Sequence, residues 1–226
     1  MIHRLLRQSG AANAQQMTAL TASPDYYALV RQLAGQSDSP VIRSLGITSS
    51  RSGEGVSTVA LQCAAAAEHL FGEPVLLVEA NMARPALQRM LKLQPGPGLS
   101  DLLLEAAERD DCVQRFDVNL SIVTGGKAAA RQLGSCSSES IARTVDTLQE
   151  GHRLTIWDLS AVGADSLALE FACQLDGVLL VVEAERVLSD QAQQATERLR
   201  GAGVKLLGAV LNKQRQHVPG WLDARL

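Results

Sequence analysis

The sequence predicts a doubly wound α/β domain built on a mainly parallel sheet. Three observations carry that expectation: short apolar runs alternate with helical stretches from Val41 onward, the runs are apolar at almost every position, and a Gly- and Ser-rich turn follows the first of them. A strand covered on both faces has no polar face to show, so it reads as a continuous apolar run. Parallel neighbours need right-handed crossovers, which the intervening helices supply.

Residues 1–22 are rich in Ala, Gln and Thr without a clear apolar period, and are expected to form a mobile arm. Residues 23–40 hold a helix and a linker: Ser23-Pro24 starts the helix over Asp25 to Leu33, and the Gly-Ser-Asp-Pro run after Gly35 ends it. The main domain is expected over residues 41–214. Val41 to Thr48 is its first strand, Val59 to Leu70 an Ala-rich helix suited to close packing on a sheet, and Val75 to Ala80 the second strand. Gly98 to Ala107 and Ser137 to Gln149 read as helices. Leu120 to Thr124, Leu154 to Leu159, Gly177 to Val182 and Lys205 to Leu211 read as further strands, the last two separated by a helix over Ser189 to Arg200. Residues 215–226 form a short tail.

Composition narrows the function. Apolar residues are 46% and charged residues 20% of the chain, enough for a sizeable core. A net charge of -3 and 3% aromatics argue against a protein built to hold nucleic acid, since neither a phosphate-neutralising surface nor stacking platforms are available. No run approaches the ~18 apolar residues that span a bilayer. Cys63, Cys112, Cys136 and Cys173 are scattered without metal-ligand spacing, and His69, His152 and His217 show none either and are expected on the surface, so no zinc site or disulfide framework is expected.

The chemistry concentrates in Thr48 to Ala60, TSSRSGEGVSTVA. A phosphate-binding loop needs glycines that let backbone N–H groups approach the anion, a lysine for the terminal phosphates, and a Ser or Thr for magnesium at a helix N-terminus. Gly53, Gly55, Ser57 and Thr58 fit that spacing. Ser50 stands where the first glycine would be and Val56 where the lysine would be. A plain Gly/Ser turn opening a helix would read the same way.

Further motifs, in order, identify the chain as similar to the bacterial tyrosine kinases (BY-kinases), P-loop proteins of the wider MinD/ParA-like class. The family's GEGKST appears as GEGVST, its DADLRRP as EANMARP from Glu79 to Pro85, and its PGLSDLL unchanged from Pro97 to Leu103. Its IIDTPP appears as IWDLSA from Ile156 to Ala161, and DGVLLVV and LGAVLN match toward the end. The resemblance covers about Asp25 to Gln214 and implies a P-loop NTPase-like fold. It also implies a nucleotide site at Ser52, Gly53, Glu54, Gly55, Val56, Ser57 and Thr58, with Asn212 near the base. Magnesium would be held by Ser57 and Asp158. Arg51 falls at the spacing of the MinD/ParA signature lysine, or is an exposed loop arginine. Trp221 and Leu222 would anchor a partner or cap the domain.

The departures set the functional expectation. Glu79 is one methylene longer than the family's first carboxylate, Asn81 is neutral where a second would be, and the family's paired basic residues become Ala83 and Arg84, with one arginine lost. Phosphoryl transfer depends on positioning and charge neutralisation, and ~3 kcal/mol of lost transition-state stabilisation is more than a hundredfold in rate. Glu79, Asn81 and Asp158 are therefore read as remnants of a catalytic site. The tyrosine-rich tail of the family is replaced by QRQHVPGWLDARL, and Tyr26 and Tyr27 are the only tyrosines. Of the family's E-x-x-R-x-x-R oligomerisation pattern, Asp25, Ala28 and Arg31 leave only part. The expectation is a degenerate kinase-like scaffold or regulator of exopolysaccharide biosynthesis and export. ATP or ADP with Mg would bind weakly if at all. Its partner would be a polysaccharide co-polymerase or another inner-membrane exopolysaccharide component, with homo-oligomers possible, at the cytoplasmic face of that membrane. A residual ATPase or tyrosine autokinase, or a MinD/ParA-like positioning protein, is the alternative.

Overall fold

The structure, a computed structural model, describes residues 22–34, 42–127, 130–163, 166–184 and 189–213. The expected arm, linker and tail, with His217, Trp221 and Leu222, lie outside them apart from Ala22.

Seven strands form one sheet: β1 (Ser44–Ser49), β2 (Val75–Glu79), β3 (Val113–Arg115), β4 (Leu120–Val123), β5 (Leu154–Asp158), β6 (Gly177–Glu183) and β7 (Leu206–Asn212). Their order is β3-β4-β2-β5-β1-β6-β7, and every pairing is parallel except β3 with β4. β1, β2 and β5 are buried along their whole length, which is why their sequences show no polar alternation. The crossover from β1 to β2 passes over β5, so the carboxyl ends of these three strands converge on one crevice. The register there sets Glu79 directly opposite Asp158.

Around the sheet run α1 (Pro24–Ala34), α2 (Val56–Phe71), α3 (Leu87–Leu91), α4 (Leu99–Leu103), α5 (Arg109–Cys112), a 3₁₀ turn (Ala130–Ser135), α6 (Ser138–Gln149), α7 (Ser166–Cys173) and α8 (Ser189–Gly201). The alanines 64–67 of α2 are buried, and they let its axis lie close to the sheet. α1 covers α2, with Val30 buried and Tyr27 meeting His69 edge-on. The other face packs Trp157 on Phe171 of α7 and buries Ile141, Val145 and Leu148 of α6.

Six of the seven strands match the apolar runs to within three residues at their ends, and the differences have physical causes. α2 begins at Val56 instead of Val59, because Gly55 takes a left-handed conformation (φ 95°) and the chain turns helical at once. The helix expected over 98–107 stops at Leu103, where the Leu104 N–H returns to the Ser100 carbonyl and Glu105 turns left-handed (φ 54°). α7 has no counterpart in the sequence reading; SLALEFAC is too uniformly apolar to show a helical period. β3, three residues of which two are half-buried and Arg115 is exposed, also went unread, and His152, expected on the surface, is half-buried with Nδ1 3.0 Å from the Leu148 carbonyl.

Candidate functional site

The loop between β1 and α2 is held from three directions. Glu54 is buried at 2% exposure, and its carboxylate accepts from the Ser50 hydroxyl at 2.8 Å and the Ser50 N–H at 3.3 Å. The serine that replaces the motif's first glycine therefore fixes the loop's width. Burial raises the Glu54 pKa, and the two bonds from Ser50 oppose the rise. From the end of β7, Asn212 Nδ2 donates to the Glu54 carbonyl at 2.8 Å, and Lys213 Nζ donates to the Gly53 carbonyl at 2.7 Å. Lys213 sits at φ 57°, a left-handed conformation uncommon outside glycine, and its ammonium also pairs with Glu183 at 3.2 Å. The Gly53 and Glu54 carbonyls are thus engaged from the β7 side.

Gly55 cannot be replaced cheaply. It adopts φ 95°, and a Cβ there would lie 2.3 Å from Asn212 Nδ2. Gly55→Ala is expected to cost about 2 kcal/mol, from left-handed strain plus displacement of that amide, in a urea titration. A variant as stable as the parent would show that Asn212 does not clamp the loop.

In front of the loop lies a cleft of about 410 Å³, within the range of small-molecule sites. Loop residues Ser52 to Thr58 line one side, except Glu54. Asn81, Ala83, Arg84 and Ala86 line the other, with Leu159 to Ala161 between. Val56 is 8% exposed and belongs to the core as well as the cleft wall. Arg84 Nη1 crosses the cleft to Ser52 Oγ at 3.1 Å.

The two carboxylates at the crevice differ in kind. Glu79 is fully buried: one oxygen accepts from the Ala86 N–H and, at 2.7 Å, from the Leu87 N–H, while the other accepts from the Gly125 N–H at 2.9 Å. It ties the 81–86 turn and the end of β4 to β2. Asp158 is equally buried, yet no hydrogen bond of ordinary geometry closes on either of its oxygens. Burial pushes its pKa up to about 7; the Ser57 hydroxyl opposes the rise and the charge of Glu79 adds to it. The buried Ser160 hydroxyl is also unpartnered. A buried carboxylate with the Ser57 hydroxyl beside it is a hard oxygen donor set, and it fits a magnesium ion. Among the described residues no three His, Cys, Asp or Glu side chains converge as a metal cluster.

The structure thus brings the loop, Asn81 and Asp158 to one crevice, turns Glu79 inward to backbone amides, and seats Asn212 against the loop's own carbonyl. Asp25, Ala28 and Arg31 are exposed on α1. Arg51 points away from the cleft to Gln191 of α8 at 3.4 Å and lines a second recess with Arg198. Lys213 was missed by sequence reasoning, although a lysine directly after the matched Asn212 was its available signal.

Fold and loop together define a P-loop NTPase type of α/β protein. No protein-family model matches the chain. It is 26% identical over 204 residues to the tyrosine-protein kinase YwqD of Bacillus subtilis, covering 90% of this chain and 82% of that one. It is 27% identical over 173 residues to the putative tyrosine-protein kinase CapB of Staphylococcus aureus, covering 76% and 75%. A 29% match over 175 residues to the succinoglycan biosynthesis transport protein ExoP of Rhizobium meliloti spans 76% of this chain but 22% of ExoP. Among solved structures, the chimerical protein CapA2B2 superposes with TM-score 0.78 at 28% identity, covering 84% of each chain. The VpsO kinase domain gives 0.76 at 24% identity over 91% of this chain and 98% of that one. MinD of Pyrococcus horikoshii, solved with Mg-ADP, shares the fold at 0.63 and 21% identity, covering 80% and 75%. The chain's homologues are bacterial tyrosine-protein kinases, as the motifs at 53–58, 75–85 and 97–103 indicated. No helix among the described residues is long and apolar enough to cross a membrane.

Proposed function

We propose that this chain is a catalytically degenerate relative of the bacterial tyrosine kinases, a scaffold or regulator of exopolysaccharide biosynthesis and export. It holds an adenine nucleotide weakly in the loop cleft and acts through an inner-membrane polysaccharide co-polymerase. One observation carries the loss of catalysis: Glu79 is turned inward and both its oxygens accept from backbone amides, those of Ala86, Leu87 and Gly125. A carboxylate so engaged does not take a proton from an acceptor hydroxyl. Beside it Asn81 is neutral and Val56 offers no charge to a phosphate. The Mg-ADP of the MinD neighbour and the names CapB and ExoP support the ligand and the polysaccharide context.

The cleft retains the means to bind. The glycine loop and the N-terminus of α2 line it, and such an arrangement favours an anion. Magnesium, when bound, neutralises charge on phosphate oxygens, and Asp158 with the Ser57 hydroxyl would hold it. The unpaired oxygens of Asp158 also favour the second reading, a residual ATPase.

Phosphate release and tyrosine phosphorylation by the purified protein, with and without the co-polymerase's cytoplasmic segment, separate the two. The expected result is no turnover above the uncatalysed rate, with the segment retained on the immobilised protein. Magnesium-dependent release abolished by Asp158→Asn would establish the ATPase instead. Val56→Lys is expected to tighten ADP binding about tenfold in calorimetry, since a charge-assisted bond is restored. An unchanged affinity would show that residue 56 does not face the phosphates.

A further inference from the structure

We infer that Arg84 supplies the phosphate-binding cation of this cleft, a function that a lysine at position 56 would otherwise perform. The inference rests on the nucleotide reading above and names the group that sustains it. Arg84 is the one charged residue among the described residues that line the cleft. Its guanidinium reaches the loop itself, at Ser52 Oγ, from the opposite wall. No carboxylate among the described residues pairs with it, so its charge is available to a ligand.

The other cations near the loop are committed elsewhere. Lys213 is neutralised by Glu183 and grips the Gly53 carbonyl from the β7 side, and Arg51 reaches α8. Arg84, by contrast, rises from a rigid turn. Its own N–H bonds the Asn81 carbonyl at 3.2 Å, Pro85 fixes the next φ, and Glu79 pins the amides of Ala86 and Leu87. A planar fork on a fixed base loses little freedom when it binds, and its paired N–H groups match two oxygens of a di- or triphosphate. The phosphate takes over from Ser52 Oγ as acceptor, so the bond seen without ligand marks where the guanidinium grips. The long turn lysine of the motif becomes dispensable because its charge arrives from across the cleft.

The test is calorimetric titration of Mg-ADP, and separately of pyrophosphate, into the wild type, Arg84→Ala, Arg84→Gln, Val56→Lys and the Arg84→Ala/Val56→Lys double variant. Arg89→Ala, an exposed arginine outside the cleft lining, controls for general charge, and thermal melts confirm folding. Arg84→Ala is expected to weaken both ligands about 10- to 100-fold and flatten the salt dependence of binding. Arg84→Gln, which keeps a donor for Ser52 but not the charge, is expected to lose as much. The double variant is expected to return to within about threefold of wild type, because the two cations substitute for each other. Equal binding by wild type and Arg84→Ala would overturn the assignment while leaving the nucleotide reading intact, and so would full binding by Arg84→Gln. Binding by Val56→Lys but not by wild type would also overturn it, since Arg84 would not suffice. Failure of every variant, Val56→Lys included, to bind either ligand would overturn the nucleotide reading itself.

Discussion

Asp158→Asn is expected to make the ligand-free protein more stable at pH 8 by a few kcal/mol and to change little at pH 4. The sign follows from linkage. The folded-state pKa of Asp158 is about 7, raised by burial above an ordinary value of 3.8. Between those two values the folded protein holds a proton that the unfolded chain has released, so stability declines as pH rises through that window. Above about pH 7 the site carries a buried charge that the Ser57 hydroxyl offsets only in part. Asparagine keeps the shape and removes the charge. Urea denaturation of both proteins at pH 4, 6 and 8 measures the difference, and a wild type whose stability is flat across that range would refute the assignment. Magnesium and ADP reverse the comparison: they are expected to raise the wild-type melting temperature more at pH 8 than at pH 6 and to leave the variant nearly unmoved.

Glu79→Ala is expected to cost about 4 kcal/mol, because it strands three backbone N–H groups in or beside the core. Two belong to the turn that carries Arg84 and one to the end of β4, so two segments lose their anchor on β2 together. Glu79→Gln retains one oxygen and should lose about half as much. Chemical denaturation gives the size, and ADP affinity decides the role. If Glu79 is a buried tie, Glu79→Gln leaves affinity within about threefold while stability falls. A variant of unchanged stability with abolished nucleotide chemistry would return Glu79 to the catalytic site.

Position 79 also shows where the sequence stopped being informative. The motif announced an acidic residue at the end of β2, but a side chain's direction is set by groups far along the chain. Gly125 lies 46 residues beyond Glu79 and meets it only because β4 pairs with β2. Lys213 was illegible for the same reason, since the carbonyl it holds is 160 residues away. Arg84 was visible as the surviving basic residue of its motif, but its reach to Ser52 depends on the turn that Glu79 pins. The strands, in contrast, were readable from local sequence. Burial on both faces forces Val75 to Glu79 and Gly177 to Val182 to be apolar nearly throughout, and that constraint needs no knowledge of partners. α7 lacked it, because a short helix apolar on nearly every side leaves no period to count.

The way the loop is held has an evolutionary consequence. Ser50 with Glu54, Asn212 and Lys213 shape it without any contribution from the side chain at 56, and Val56 packs into the core. Selection for a folded, abundant protein is therefore blind to the loss of a lysine there. Changes at this position can therefore accumulate without passing through a misfolded loop. Shape and charge at the loop are thus separable: the fold holds the shape, and only ligand chemistry reads the charge.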